Sequence, residues 1–196
     1  TAVAFDGADD VVRGPAKRVV TPAGGLTIEL WVRRGGPGKQ TLVVSRRDGA
    51  KRFSGYMMWI DPAGHARATF ADESRSITLR SRTPLDGGWN HVVATHGGGT
   101  ARLWVNAVRH DRQPASLQLA PTKRPIRIGA LPNGGARFSG TLDEVAIYPR
   151  VLSRARISAH YADAIATPVG SLPAPPMPPP PVDPPPPPPP PPDVVA

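Results

Sequence analysis

The sequence contains no cysteine, which removes disulfides and thiolate chemistry but leaves export open. Glutamate is nearly as scarce, with only Glu29, Glu73 and Glu144. No apolar run approaches the ~20 residues that a membrane-spanning helix needs. Nothing repeats at a fixed period, which excludes solenoids and propellers. No Lys or Arg follows Arg156, and Thr167 and Ser171 are the only hydroxyl residues after the last helical pattern, so the C-terminal region is not a glycosylated mucin-like stalk.

What is present divides the chain in two. Seventeen of the 27 prolines fall within 168–196, leaving roughly 160 of the 196 residues to fold, enough for one sizeable core. The net charge is +9, carried by basic residues spread along the chain in runs no longer than two. Aromatics are not interleaved with them as in nucleic-acid-binding motifs, so nucleic acid is not the expected partner. An acidic polysaccharide, a cell-surface glycan or an acidic neighbouring subunit suits a charge that acts at long range. The chain opens on Thr1 and enters a strand-like segment at once, the form a secreted or surface protein has once its signal peptide is gone.

Short strand patterns run from the start to about Tyr148. Leu26 to Val32 alternates as a strand with one face on a core should. Tyr56 to Ile60 and His65 to Phe70 flank Asp61-Pro62-Ala63-Gly64, a turn with proline and glycine where a hairpin uses them. Trp89 to His96 and Ala101 to Asn106 flank Gly97-Gly98-Gly99, a second hairpin. Thr41 to Ser45, Ser76 to Arg80, Pro125 to Ala130 and Gly140 to Tyr148 complete the set. Such spacing predicts an all-β, antiparallel two-sheet sandwich. One short helix is predicted from Arg154 to about Ala164, capped by Ser153, with Leu152, Ile157 and Tyr161 on the domain side. The domain is placed at 1–166 and a polyproline II tail at 167–196.

Four segments resemble, in order, the LamG-like jelly-roll domains of the concanavalin A-like superfamily. They are Phe5 to Val12 (F-D-G-A-D-D-V-V), Leu26 to Val32 (L-T-I-E-L-W-V), Trp89 to Thr95 (W-N-H-V-V-A-T) with Leu103-Trp104-Val105-Asn106, and Gly140 to Tyr148 followed by Val151-Leu152-Ser153. The resemblance implies a jelly-roll sandwich and an extracellular module that binds glycans or proteins or serves as a structural part. It also implies a calcium ion tying first and last strands, for which Asp6, Asp9, Asp10 and Asp143 are the hard oxygen donors. Two departures stand out. Asn106-Ala107 replaces the usual Asp-Gly turn, and because alanine resists positive φ, the loop is predicted to be longer or distorted. Arg156 replaces the acidic partner of a capping box.

The same sandwich hosts glycoside hydrolases, which need two carboxyls about 5–9 Å apart. No Glu-x-Asp-x-x-Glu pattern exists here, and the adjacent Asp143 and Glu144 point to opposite faces of a regular strand. No enzyme is predicted. His91 and His96 are also predicted on opposite faces, which disfavours a zinc site, and the glycine clusters open no helix, which excludes phosphate loops. Tyr56 and Trp59 are the candidate sugar-binding aromatics, while Trp31, Trp89 and Trp104 are assigned to the core. In the tail, Pro184, Pro185, Pro186, Pro187, Pro188, Pro189, Pro190, Pro191 and Pro192 form a rod of roughly 28 Å at ~3.1 Å per residue. Such a rod loses little entropy on docking in an aromatic-lined groove, and a head-to-tail contact of that kind propagates. The expected function is a structural, adhesive subunit whose tail docks on a neighbour to build a filament or surface array. The alternative is a glycan-binding module on a proline spacer.

Overall fold

The computed structural model describes residues 2–14, 24–47, 54–119 and 125–166. Among them, twelve strands form two antiparallel sheets of six, closed by one helix. In the order of their neighbours, the first sheet holds β1 (Val3–Asp6), β12 (Ser139–Tyr148), β3 (Leu26–Arg34), β8 (Asn90–Gly97), β9 (Thr100–Val105) and β10 (Val108–Pro114). The second holds β2 (Val12–Arg13), β11 (Arg127–Ile128), β4 (Gln40–Arg47), β5 (Ser54–Ile60), β6 (Ala66–Ala71) and β7 (Ser76–Arg80). First and last strands pair, Val3 opposite Leu142, as in a closed jelly roll.

The core lies between the sheets. Leu26, Ile28, Leu30 and Val32 of β3 meet Met58, Ile60, Ala68 and Phe70 from β5 and β6, all fully buried. The alternation in β3 predicts one solvent face, yet Thr27, Glu29 and Trp31 are buried as well. Their cover is α1 (Arg154–Ala166), two residues longer than predicted and lying on the outer face of the first sheet. Ser153 caps it, its Oγ accepting the Arg156 N–H at 3.2 Å. Ile157 and Leu152 seal against Val93 and Trp104. Trp31 and Trp104 are therefore buried under the helix, outside the space between the sheets. Trp89 is half-buried beneath the Arg33 guanidinium, 5.4 Å from its ring.

The turn at Asn106-Ala107 corrects an expectation. It is a tight two-residue turn, with Val105 directly opposite Val108 and φ of 49° and 62° at its two residues. Alanine accepts the left-handed region because the flanking ladder and the bond from the His91 N–H to Asn106 Oδ1 hold the turn. Irregularity appears instead as a bulge between Arg109 and Asp111.

Candidate functional site

The Asp61–Gly64 turn sets the register of the second sheet. The Asp61 N–H donates to His65 O and the Gly64 N–H to Asp61 O, which puts Ile60 opposite Ala66 and Trp59 opposite Arg67. One strand on, Arg67 faces Arg80 and Thr69 faces Thr78. Since alternate side chains share a face, Trp59, Arg67 and Arg80 stand in one row on the outer surface, with Met57, Thr69 and Thr78 in the next. The Trp59 indole is pinned by its Nε1–H, which donates to Thr69 Oγ1 at 3.2 Å, while Thr69 and Thr78 hydroxyls meet at 3.0 Å. Lys39 Nζ lies 4.5 Å from the centre of the ring and the Arg67 guanidinium 5.6 Å.

Asp61 organises the cations. It is 5 % exposed, and its Oδ1 accepts the His65 N–H at 2.9 Å. Its Oδ2 receives the Nε–H of both Arg67, at 2.9 Å, and Arg80, at 3.3 Å. Burial pushes this carboxyl up, but the His65 N–H and the two guanidinium groups outweigh it and hold it below the ordinary carboxylate value. Bound through Nε alone, both arginines keep their terminal Nη groups. Their side chains are 26 % and 43 % exposed. The row can therefore offer an aromatic face, two oriented guanidinium groups and hydroxyls to a single ligand.

A second polar centre is closed. Glu29, on the outer face of β3, accepts the His91 Nε2–H at 2.7 Å and the His160 Nδ1–H at 2.9 Å. The rings of His91 and Tyr161 both stack on Trp31, 5.0 and 5.7 Å between centres. Burial raises the Glu29 pKa, but hydrogen bonds from the two imidazoles and their charge bring it below its usual value. With Glu29 4 % and His91 1 % exposed, this cluster fastens α1 and offers a ligand no access.

Trp59 is the one sequence-predicted aromatic at the open row. Tyr56 is 4 % exposed and belongs to the core between the sheets, so it offers a ligand no surface. Asp6, Asp9 and Asp10 each bring an oxygen within 4.8 Å of the others, exposed, with Asp6 Oδ1 accepting the Ala8 N–H and Asp10 Oδ2 the Asp6 N–H. These donors are of the type calcium takes. Asp143 is elsewhere, because Asp6 pairs with Ser139 and the strand runs on for four residues before reaching it. Pro184 to Pro192, and with them the docking tail, lie outside the described residues. The three glutamates occupy separate places: Glu29 under the helix, Glu73 exposed in the β6–β7 turn and Glu144 exposed at a bulge of β12. His91 and His96 do face opposite sides, the first toward Glu29 and the second toward Phe70, 5.3 Å away.

Arg67 and Arg80 were not singled out by sequence reasoning. The signal was there, since a hairpin closed at Asp61 and His65 fixes Trp59 opposite Arg67. The Glu29 centre had no local signal, its members being 62 and 131 residues apart.

No curated protein sequence matches the chain. Among solved structures, the CBM40 module of the Ruminococcus gnavus IT-sialidase, bound to α2,3-sialyllactose, superposes with a TM-score of 0.64 at 17 % identity over 82 % of this chain and 96 % of its own. The botulinum neurotoxin serotype D binding domain gives 0.65 at 16 % over 84 % of this chain, which spans 43 % of that domain. The heptameric SAP-like pentraxin of Limulus polyphemus gives 0.61 at 13 % over 80 % and 79 %. At such identities these likenesses establish the fold. Residues 6–158 match the laminin G-type model described as the concanavalin A-like lectin/glucanases superfamily, and with its two antiparallel sheets the chain belongs to that superfamily.

Proposed function

We propose that this protein is a non-catalytic glycan-binding module of an extracellular protein, with its ligand seated on the outer face of β5, β6 and β7. The module is residues 1–166, and 167–196 is its proline-rich spacer. The observation that carries this reading is the partly exposed Trp59 indole, held by Thr69 and flanked in register by Arg67 and Arg80. A sugar ring has an apolar face for the indole and hydroxyls for the threonines and arginines. Support also comes from the sialyllactose-bound module among the similar structures. No described helix is long and apolar enough to cross a membrane.

A non-catalytic role fits the acid arrangement. Of the two buried carboxylates described above, Glu29 is committed to two imidazoles and Asp61 to two guanidinium groups, on different sheets. The test is a glycan array probed with the protein and with Trp59→Ala. Retention of one glycan class, reduced at least tenfold by the substitution, is expected. An array on which nothing is retained contradicts the reading.

A further inference from the structure

The open row holds more positive charge than a neutral sugar calls for. Lys39 and Arg67 lie over one indole, Arg80 stands beyond Arg67 in the same row, and the carboxylate that holds both arginines, Asp61, is buried and occupied. Asp111 adjoins the far edge, where its Oδ2 accepts the Arg80 backbone N–H at 3.0 Å and its Oδ1 the Arg112 N–H at 2.7 Å. Gln113 also donates to Asp111 Oδ2, at 3.2 Å, so this second acid is engaged away from the guanidinium groups.

The way the arginines are held is selective. Asp61 Oδ2 takes one N–H from each, by Nε, and no described residue takes their Nη groups. A guanidinium anchored at Nε presents its terminal N–H groups as a fork, and a fork matches the two oxygens of a carboxylate. Arg67 and Arg80 face each other from neighbouring strands and their Nε groups converge on one Asp61 oxygen, so the two guanidinium groups are held side by side and both can engage one anionic group. The indole lies one strand spacing, ~4.8 Å, along the same row, close enough to take the ring that bears that group.

We propose that this face recognises an acidic sugar, with the carboxylate of a uronic-acid-type residue held by Arg67 and Arg80, its ring against Trp59, and Asp61 acting as the positioning residue. This rests on the glycan-binding reading of the same face and adds the ligand class. A nucleic acid strand would use the same cations, but strands are bound by successive aromatics on which bases stack. The row supplies a single indole, and its next row holds Met57 and two threonines.

The experiment is isothermal titration of the whole chain with three probes of equal length: an oligogalacturonate, the same oligosaccharide after carboxyl reduction, and an oligothymidylate. The expected result is at least tenfold tighter binding of the oligogalacturonate than of its reduced form. Arg80→Gln, an exposed substitution that the fold tolerates, should bring that ratio toward one. Asp61→Asn should lower it as well, checked against an unchanged far-UV spectrum. Equal affinity for the charged and reduced sugars overturns the acidic-sugar inference and leaves glycan binding standing. Binding of neither sugar overturns glycan binding itself. Tighter binding of the oligothymidylate, or a sugar ratio indifferent to Arg80→Gln, also overturns the inference, since attraction would then follow net charge.

Discussion

The two outer faces of this sandwich begin from similar ingredients and end in opposite states. Each sets a tryptophan near a buried carboxylate that holds two side-chain nitrogen donors: Trp31 and Glu29 on the first sheet, Trp59 and Asp61 on the second. On the first sheet α1 closes over the group, the donors are imidazoles, and the rings of Trp31, His91 and Tyr161 stack in one mutual cluster. On the second the donors are guanidinium groups whose far ends stay partly exposed. The difference teaches that a carboxylate with two side-chain partners is a fastening where a helix covers them. It becomes a recognition element where the donors have N–H groups to spare.

Substitutions can break this contrast from its strongest side first. Ile157→Ala removes a fully buried side chain from beneath α1 and should cost about 3 kcal/mol, read by denaturant unfolding. The near-UV signal of Trp31 and Trp104 should change with it. Glu29→Ala should cost about 2 kcal/mol, because the buried His91 imidazole and the half-buried His160 imidazole lose their acceptor. Its pH dependence has a definite sign. The Glu29 pKa is lowered in the folded chain, so its contribution is complete above the ordinary carboxylate pKa and fades as pH falls through the folded value. Melting temperatures between pH 7 and pH 3 should therefore fall less steeply in Glu29→Ala than in the parent. In the β9–β10 turn, Ala107→Gly should raise stability by about 1 kcal/mol, since glycine meets a φ of 62° without strain. Arg80→Gln, on the open face, should change stability by no more than about 0.5 kcal/mol while lowering affinity for an acidic sugar.

The sequence made some of this legible and hid the rest for physical reasons. The alternation of Leu26 to Val32 and the glycine turn at 97–99 located β3, β8 and β9, because a half-buried strand and a tight hairpin write themselves locally. β10 was missed: Val108-Arg109-His110-Asp111-Arg112-Gln113-Pro114 is a polar edge strand with a bulge, and its pairing with β9 imposes no apolar alternation. β11, predicted from Pro125 to Ala130, is only Arg127–Ile128. Glu29 reads as a solvent-facing residue until a helix more than 120 residues later covers it. Trp59 was legible only as one of two candidate sugar-binding aromatics, the other being Tyr56, which lies in the core. The partnership of Trp59 with Arg80 requires two hairpin registers in succession, and only the first is signalled by its turn.

The Nε1–H resonances of Trp31, Trp59, Trp89 and Trp104 offer the most direct test, followed by 15N correlation spectra during titration with oligogalacturonate. A shift of the Trp59 resonance, with Trp31 and Trp104 still, is the predicted result. Movement of the helix-covered pair while Trp59 stays unchanged would contradict the account.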